Sequence, residues 1–337
     1  MKKSLVQLVL GAGLAVVFTH TTHAEWVKST EGIKSTEGKV NGDIRALAVS
    51  GNNIFAGTYG GGVLLSTDDG KSWTAANKGL TDLTMICLAV SGNNIFAGTR
   101  DGGVFLSTDN GTSWTAVNNG IKEVSVSSLG VSGGNIFAAT WSRGGSAGVY
   151  LSKNNGADWT MLDFGFKNGC NQCFAVSGDN IFAGTWAHGV CLTTNGGTSW
   201  TEFKNSGLKG IVRALAVNGN NIFAGTHEDG VFLSTNNGTS WTAINNGLTT
   251  KKTSSLAVSG SNIFVGTNGG VFLSTNNGTS WTAVNNGLKS LSVQVLAVCG
   301  KNLFAGIVFG GGVWQCPLAA LTGEINDSRG AGGNPAP

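Results

Sequence analysis

Tyr59, Arg100, Trp141, Trp186 and His227 follow one another at intervals of 41, 41, 45 and 41 residues. Flat aromatic rings stack on sugars or grip apolar side chains, while arginine and histidine offer donors to carboxylates and hydroxyls. Asp101, Arg143, His188, Glu228 and Asp229 come close behind them in sequence. This is the chemistry of non-covalent recognition, and it suits a glycan or a peptide. Asp101 and Glu228 are also the raw material of a paired-carboxylate glycosidase, which needs its two acids roughly 5–9 Å apart.

Other chemistry finds less support. Cys170-Asn-Gln-Cys173 has redox spacing but leads into a strand, whereas a low-pKa thiol wants a helix N-terminus. Cys87, Cys191, Cys299 and Cys316 supply no second pair for zinc. A local Cys170–Cys173 disulfide is the expectation in an oxidising compartment. No phosphate loop, Ser-His-Asp signal or metal-binding histidine pair is visible, so no catalytic residue, metal or cofactor is assigned.

The interval between the candidate residues is the interval of the whole chain. Ile-Phe-Ala-Gly, or a near copy, recurs seven times, with its Phe at 55, 96, 137, 182, 223, 264 and 304. A second phrase follows six of the seven and ends at Trp73, Trp114, Trp159, Trp200, Trp241 and Trp281. A period of about 40–45 residues with several short strands per repeat predicts a β-propeller, here seven blades of four antiparallel strands. In the fifth repeat, 215–218 is predicted as strand A, 221–226 as B, 231–235 as C and 240–245 as D. Strands B and C are continuous apolar runs, which fits sheets covered on both faces.

Glu25-Trp-Val-Lys-Ser-Thr-Glu-Gly-Ile33 has the strand D pattern that the seventh repeat lacks, so the N-terminus is expected to complete the last blade. Such closure removes the open edges of a ring and predicts a monomer. The propeller then spans 25–318. Residues 1–24 carry Lys2-Lys3, an apolar run and Thr22-His23-Ala24, which predicts a secretory signal and a secreted or periplasmic protein. That apolar run is too short to span a bilayer, and residues 319–337 are expected as a flexible tail. Loss of the two lysines takes the formal charge from +3 to +1, which gives no pull toward nucleic acid. Charged residues are 12% and glycines 54 of 337, so Ser, Thr and Asn must cover the surface and glycine must make the turns.

The phrase Ser66-Thr-Asp68-Asp-Gly70-Lys-Ser-Trp73, and its copy from Ser107 to Trp114, resembles the Asp-box (BNR) repeat of sialidase-like propellers. Four later copies carry Asn at 154, 195, 236 and 276 where that motif has Asp. The resemblance covers residues 25–318 and is similar in kind to the sortilin ectodomain and photosystem II assembly-factor propellers. It implies a binding or scaffolding task or, as the alternative, a sialidase-like glycoside hydrolase. Against the hydrolase stand the absence of an Arg-Ile-Pro motif, seven blades instead of six, and short loops. Either way, the box serves the fold, with its Trp packed between blades.

The repeats differ from one another mainly in the B–C and D–A loops, which share one face of the disc. The B–C loops place Tyr59, Arg100, Trp141, Trp186, His227, Asn268 and Val308 at one equivalent position, with Phe309 next to the last. The D–A loops add Arg45, Asp82, Met85, Glu123, Lys167, Arg213, Lys251, Lys252 and Gln294. Drift in solvated loops is one explanation, and a binding site on that face is the other. The ten candidate ligand-binding residues are those of the opening paragraph.

Overall fold

A computed structural model describes residues 25–29, 42–122, 124–141, 148–163, 171–203, 206–208 and 210–323. The expected signal segment, Ile33, Glu123, Arg143, Lys167, Cys170 and the chain beyond 323 lie outside the described residues. Seven four-stranded antiparallel sheets form a propeller. Blade 1 consists of strand A (Ile44–Ser50), B (Asn53–Thr58), C (Gly62–Ser66) and D (Thr74–Ala75). The A strands of adjacent blades lie side by side around the axis, and that of blade 7 (Val293–Cys299) meets that of blade 1.

Strand B is the middle of each sandwich, and its sequence shows why. From Ile54 to Thr58, and at every equivalent position, the residues are buried on both faces. Each apolar cluster joins two neighbouring blades: Phe55 and Val63 of blade 1 pack with Met85, Ile95, Phe105 and Trp114 of blade 2. Another joins Phe304 and Val313 of blade 7 to Ile44, Ile54 and Trp73 of blade 1. The core is therefore a ring of seven interfaces.

The last blade is closed from the other end of the chain. Val27–Lys28 pairs antiparallel with strand C of blade 7, with Val27 opposite Gln315 and Lys28 opposite Trp314. Trp26 is buried and donates its indole N–H to Val284 O at 2.6 Å. Trp114, Trp159 and Trp281 make the same bond to Ala76, Val117 and Ile244 of the preceding blade. The expected loose tail begins differently: Leu318–Thr322 is a short helix, because Leu321 is drawn into the apolar cluster around Trp26 and Trp314.

The C–D turns behave as fold elements. Asp68 Oδ1 accepts the Ser72 N–H at 2.9 Å, and Oδ2 accepts the Ser72 hydroxyl at 2.6 Å. Those bonds stabilise the ionised form and hold the Asp68 carboxyl at about 2, and Ser113 does the same for Asp109. In the Asn copies, Asn236 Oδ1 still accepts the Ser240 N–H, while Nδ2 donates to Ser240 Oγ. The exchange keeps the turn and reverses one hydroxyl. Gly111, at φ +82°, leaves no room for a Cβ, which would stand 2.7 Å from the Phe55 ring of the preceding blade.

Strand A departs from its predicted limits. In blade 5 it runs Val212–Asn218, three residues earlier than the pattern at Leu215 suggested. The early start contains a bulge. Pairing passes from Val212↔Thr226 to Ala214↔Gly225, so Arg213 has no opposite number. All seven A strands do this. Arg45, Arg213 and Gln294 are thus strand residues and not loop residues. Met85 is also in a strand and fully buried, since it fills the interface between blades 1 and 2.

Candidate functional site

A cavity of about 730 Å³ occupies the axis at the B–C/D–A end of the ring. Its wall is built by the first residues of the A strands, and its rim by B–C loops of blades 5 to 7. A bulge leaves one residue out of the ladder and re-aims its side chain. The bulged positions are Arg45, Ile86, Ser127, Gln172, Arg213, Ser254 and Gln294, one per blade. Arg45, Ile86, Ser127, Arg213, Ser254 and Gln294 line the cavity.

The charge of the wall has one sign. Arg45, Arg213 and Lys252 contribute cations, His227 an imidazole, and no carboxylate lines the cavity among the described residues. Arg45 is oriented by Asp43 at 3.5 Å and lies over the Tyr59 ring, 5.1 Å from its centre. Arg100 lies over the same ring at 5.7 Å and donates to the Tyr59 hydroxyl. The Nε atoms of Arg45 and Arg213 are shut away from solvent and meet no acceptor. A buried donor left in that state costs about 1–3 kcal/mol. Desolvation pushes the Arg213 guanidinium below its ordinary pKa, and a guanidinium still stays charged at neutral pH.

The rim loops are held by residues that do not vary in the same way. In blade 1 the Thr58 hydroxyl donates to Gly62 O, and Asn77 accepts from Val63 N–H and donates to Gly61 O. Asn118, Asn245 and Asn285 repeat that clamp. In those four blades the loop backbone is thus fixed from the segment just after strand D. Trp141 and Trp186 are 45% and 52% exposed, and Phe309 is 86% exposed at φ +58°.

The predicted residues divide accordingly. Of the ten candidates, His227 alone lines the cavity among those described. Tyr59, Arg100, Trp141 and Trp186 stand outside the cavity wall, on four consecutive blades. The Asp101 backbone N–H is taken by Asp82 Oδ2 at 2.7 Å. His188 belongs to its own blade, with Nδ1 3.1 Å from Glu202 Oε1 on strand D. Glu228 is exposed and 4.0 Å from His227 Nε2, and Asp229 lends its carbonyl to the Asn245 clamp. Asp101 and Glu228 sit on blades 2 and 5, on different sides of the ring, and are not a pair.

Sequence reasoning missed the bulge residues as a set. Their signal is the second residue of the phrase Ile-Arg-Ala-Leu-Ala-Val and its copies: it changes in kind while its neighbours stay small or apolar.

Two of the cysteines, Cys87 and Cys173, line the cavity. Cys87, Cys173, Cys191, Cys299 and Cys316 are free. Cys173 is therefore not in the expected local disulfide: its Sγ faces inward, 4.0 Å from Val212 O. Burial pushes the Cys87 and Cys173 thiols up to about 12. No cluster of three metal-ligating side chains occurs among the described residues.

Residues 212–314 match the family described as the DUF6242 beta propeller domain. That is the stretch from strand A of blade 5 into strand C of blade 7, less than half of the chain. Compared by sequence with curated proteins, the chain finds no match. Among solved structures it is similar to YCF48 bound to D1 peptide, at 14% identity and TM-score 0.69, covering 88% of this chain and 98% of the other. It is also similar to the GH74 enzyme of Niastella koreensis, at 19% identity and TM-score 0.62, covering 81% of this chain and 43% of that one. The extracellular domain of the BT4673 hybrid two-component system from B. thetaiotaomicron is 14% identical, with TM-score 0.66 and 87% and 40% coverage. At such identities these likenesses show the propeller fold.

Proposed function

We propose that this protein is a secreted or periplasmic monomeric binding propeller whose ligand lies across the mouth of the axial cavity. One observation carries it. The cavity, its cations and the exposed Trp141, Trp186 and Phe309 all belong to the B–C/D–A end of the ring. The A–B turns opposite are glycine turns such as Ser50 to Asn53, with φ +57° at Gly51. Exposed aromatic anchors beside a concave polar site are the usual composition of a binding surface. A polypeptide segment is the first choice of ligand, and YCF48 in complex with a D1 peptide is a propeller of the same fold. The two exposed tryptophans favour a glycan as the second reading, since flat rings stack on sugars. Hydrolysis finds no support in the separated Asp101 and Glu228. Among the described residues, no helix is long and apolar enough to cross a membrane.

The test is a screen of peptide and glycan arrays with the purified protein, followed by Trp141→Ala and Trp186→Ala. Truncating a true anchor costs at least about 2 kcal/mol, roughly thirtyfold in affinity. Asn94 and Asn262 in the A–B turns should change affinity less than about twofold. If both Trp variants bind normally and the Asn variants do not, the ligand is on the other face.

A further inference from the structure

The binding reading leaves the ligand's chemistry open, and the axial cavity narrows it. Resting on that reading, we propose that the cavity recognises an acidic polypeptide segment, whose carboxylates meet Arg45 on one wall and Arg213 on another. Both guanidinium groups are placed by strand bulges, which hold them on the rigid inner ring and not on loops. Asp43 and Tyr59 fix the direction of Arg45 before any ligand arrives. The Nε of Arg213, like that of Arg45, is buried without an acceptor, and so is Ser255 Oγ in the same wall. Lys252 adds a third, exposed cation at the rim.

A planar guanidinium pairs with a carboxylate through two parallel bonds, a geometry that a point charge such as Lys252 does not offer. Position decides between a compact anion and a chain. Arg45 is on blade 1 and Arg213 on blade 5, so neither neighbours the other around the ring. A ligand with several carboxylates along a flexible backbone reaches both; one small anion serves a single wall. The apolar Leu47, Leu88, Leu129 and Phe174 further along the wall suit the apolar side chains of a polypeptide.

The experiment is fluorescence anisotropy with a fluorescein-labelled hexaglutamate, beside hexaglutamine, hexalysine, inorganic phosphate and polygalacturonate. Hexaglutamate should bind, hexaglutamine and hexalysine should not, and raising salt should weaken the complex. Arg45→Gln with Arg213→Gln should lower affinity at least tenfold with an unchanged circular dichroism spectrum. Lys252→Gln, at an exposed position, should lower it about two- to fivefold. Equal binding of hexaglutamate and hexaglutamine, or undiminished binding by the double variant and by Lys252→Gln, overturns the proposal. Tighter binding of phosphate or polygalacturonate than of hexaglutamate also overturns it. If hexaglutamate fails while a neutral array ligand binds and needs Trp141, the acidic-ligand inference falls and the binding face stands. If no array ligand depends on Trp141 or Trp186, the face itself falls.

Discussion

Removing one indole at the N-terminus should loosen the whole ring. Trp26 is 2% exposed, gives its indole N–H to Val284 O and its backbone N–H to Asn286 O at 2.8 Å, and packs in the cluster of blades 6 and 7. Trp26→Ala deletes that side chain and leaves the Val284 carbonyl short of a donor. Large-to-small substitutions of a buried Trp cost about 3–5 kcal/mol. With an unfolding entropy near 2.1 cal/mol/K per residue, a chain of this size loses about 4–8 °C in Tm. Trp114→Ala is the internal standard, because Trp114 is 4% exposed and makes the same bond to Ala76 O. Scanning calorimetry of both variants, and of a chain lacking residues 25–29, measures the effect. The two substitutions should agree within about 3 °C, and the deletion should be at least as severe. An unchanged Tm for the deletion, with Trp114→Ala destabilised as expected, would refute ring closure by the N-terminal strand.

Four further outcomes follow from the same geometry. Asp68 and Asp109 have carboxyls depressed to about 2 in the folded state, so their stabilisation is present above the ordinary carboxylate pKa and is lost as pH falls toward 2. Asp68→Asn with Asp109→Asn, which copies the other four turns, should flatten the acid limb of a stability profile between about pH 4 and 2; an unaltered limb refutes the assignment. Native protein should resist iodoacetamide at pH 8 at Cys87, Cys173, Cys191 and Cys316, whose thiols are pushed up to about 12, and react at all four once unfolded. Mass spectrometry of the non-reduced protein should show no Cys299–Cys316 bond, since the two end strands A and C with strand B between them; rapid native labelling or that bond would contradict the register. Met85→Ala should cost about 2–5 kcal/mol by calorimetry, as for any fully buried side chain, and a loop-like effect below about 0.5 kcal/mol would put Met85 back on the surface.

The repeat by itself determined the architecture. Seven copies of Ile-Phe-Ala-Gly, the box tryptophans and the stray Trp26 specify blades, strand order and closure, because each copy states the same local demand for a strand buried on both faces. The exposed rim was legible too: Trp141 and Trp186 stand where an otherwise uniform phrase breaks, and the structure leaves them uncovered. Two decisions belonged to the tertiary structure alone. The sequence pattern at Leu215 hides the bulge before it, since a bulge is a mismatch between two paired strands and not a property of either. Likewise, Arg45, Arg213 and Lys252 are far apart in the chain and come to line one cavity only when seven A strands converge on one axis. Convergence around that axis also separated Asp101 from Glu228, because distance around a ring depends on blade number and not on a shared position within the repeat.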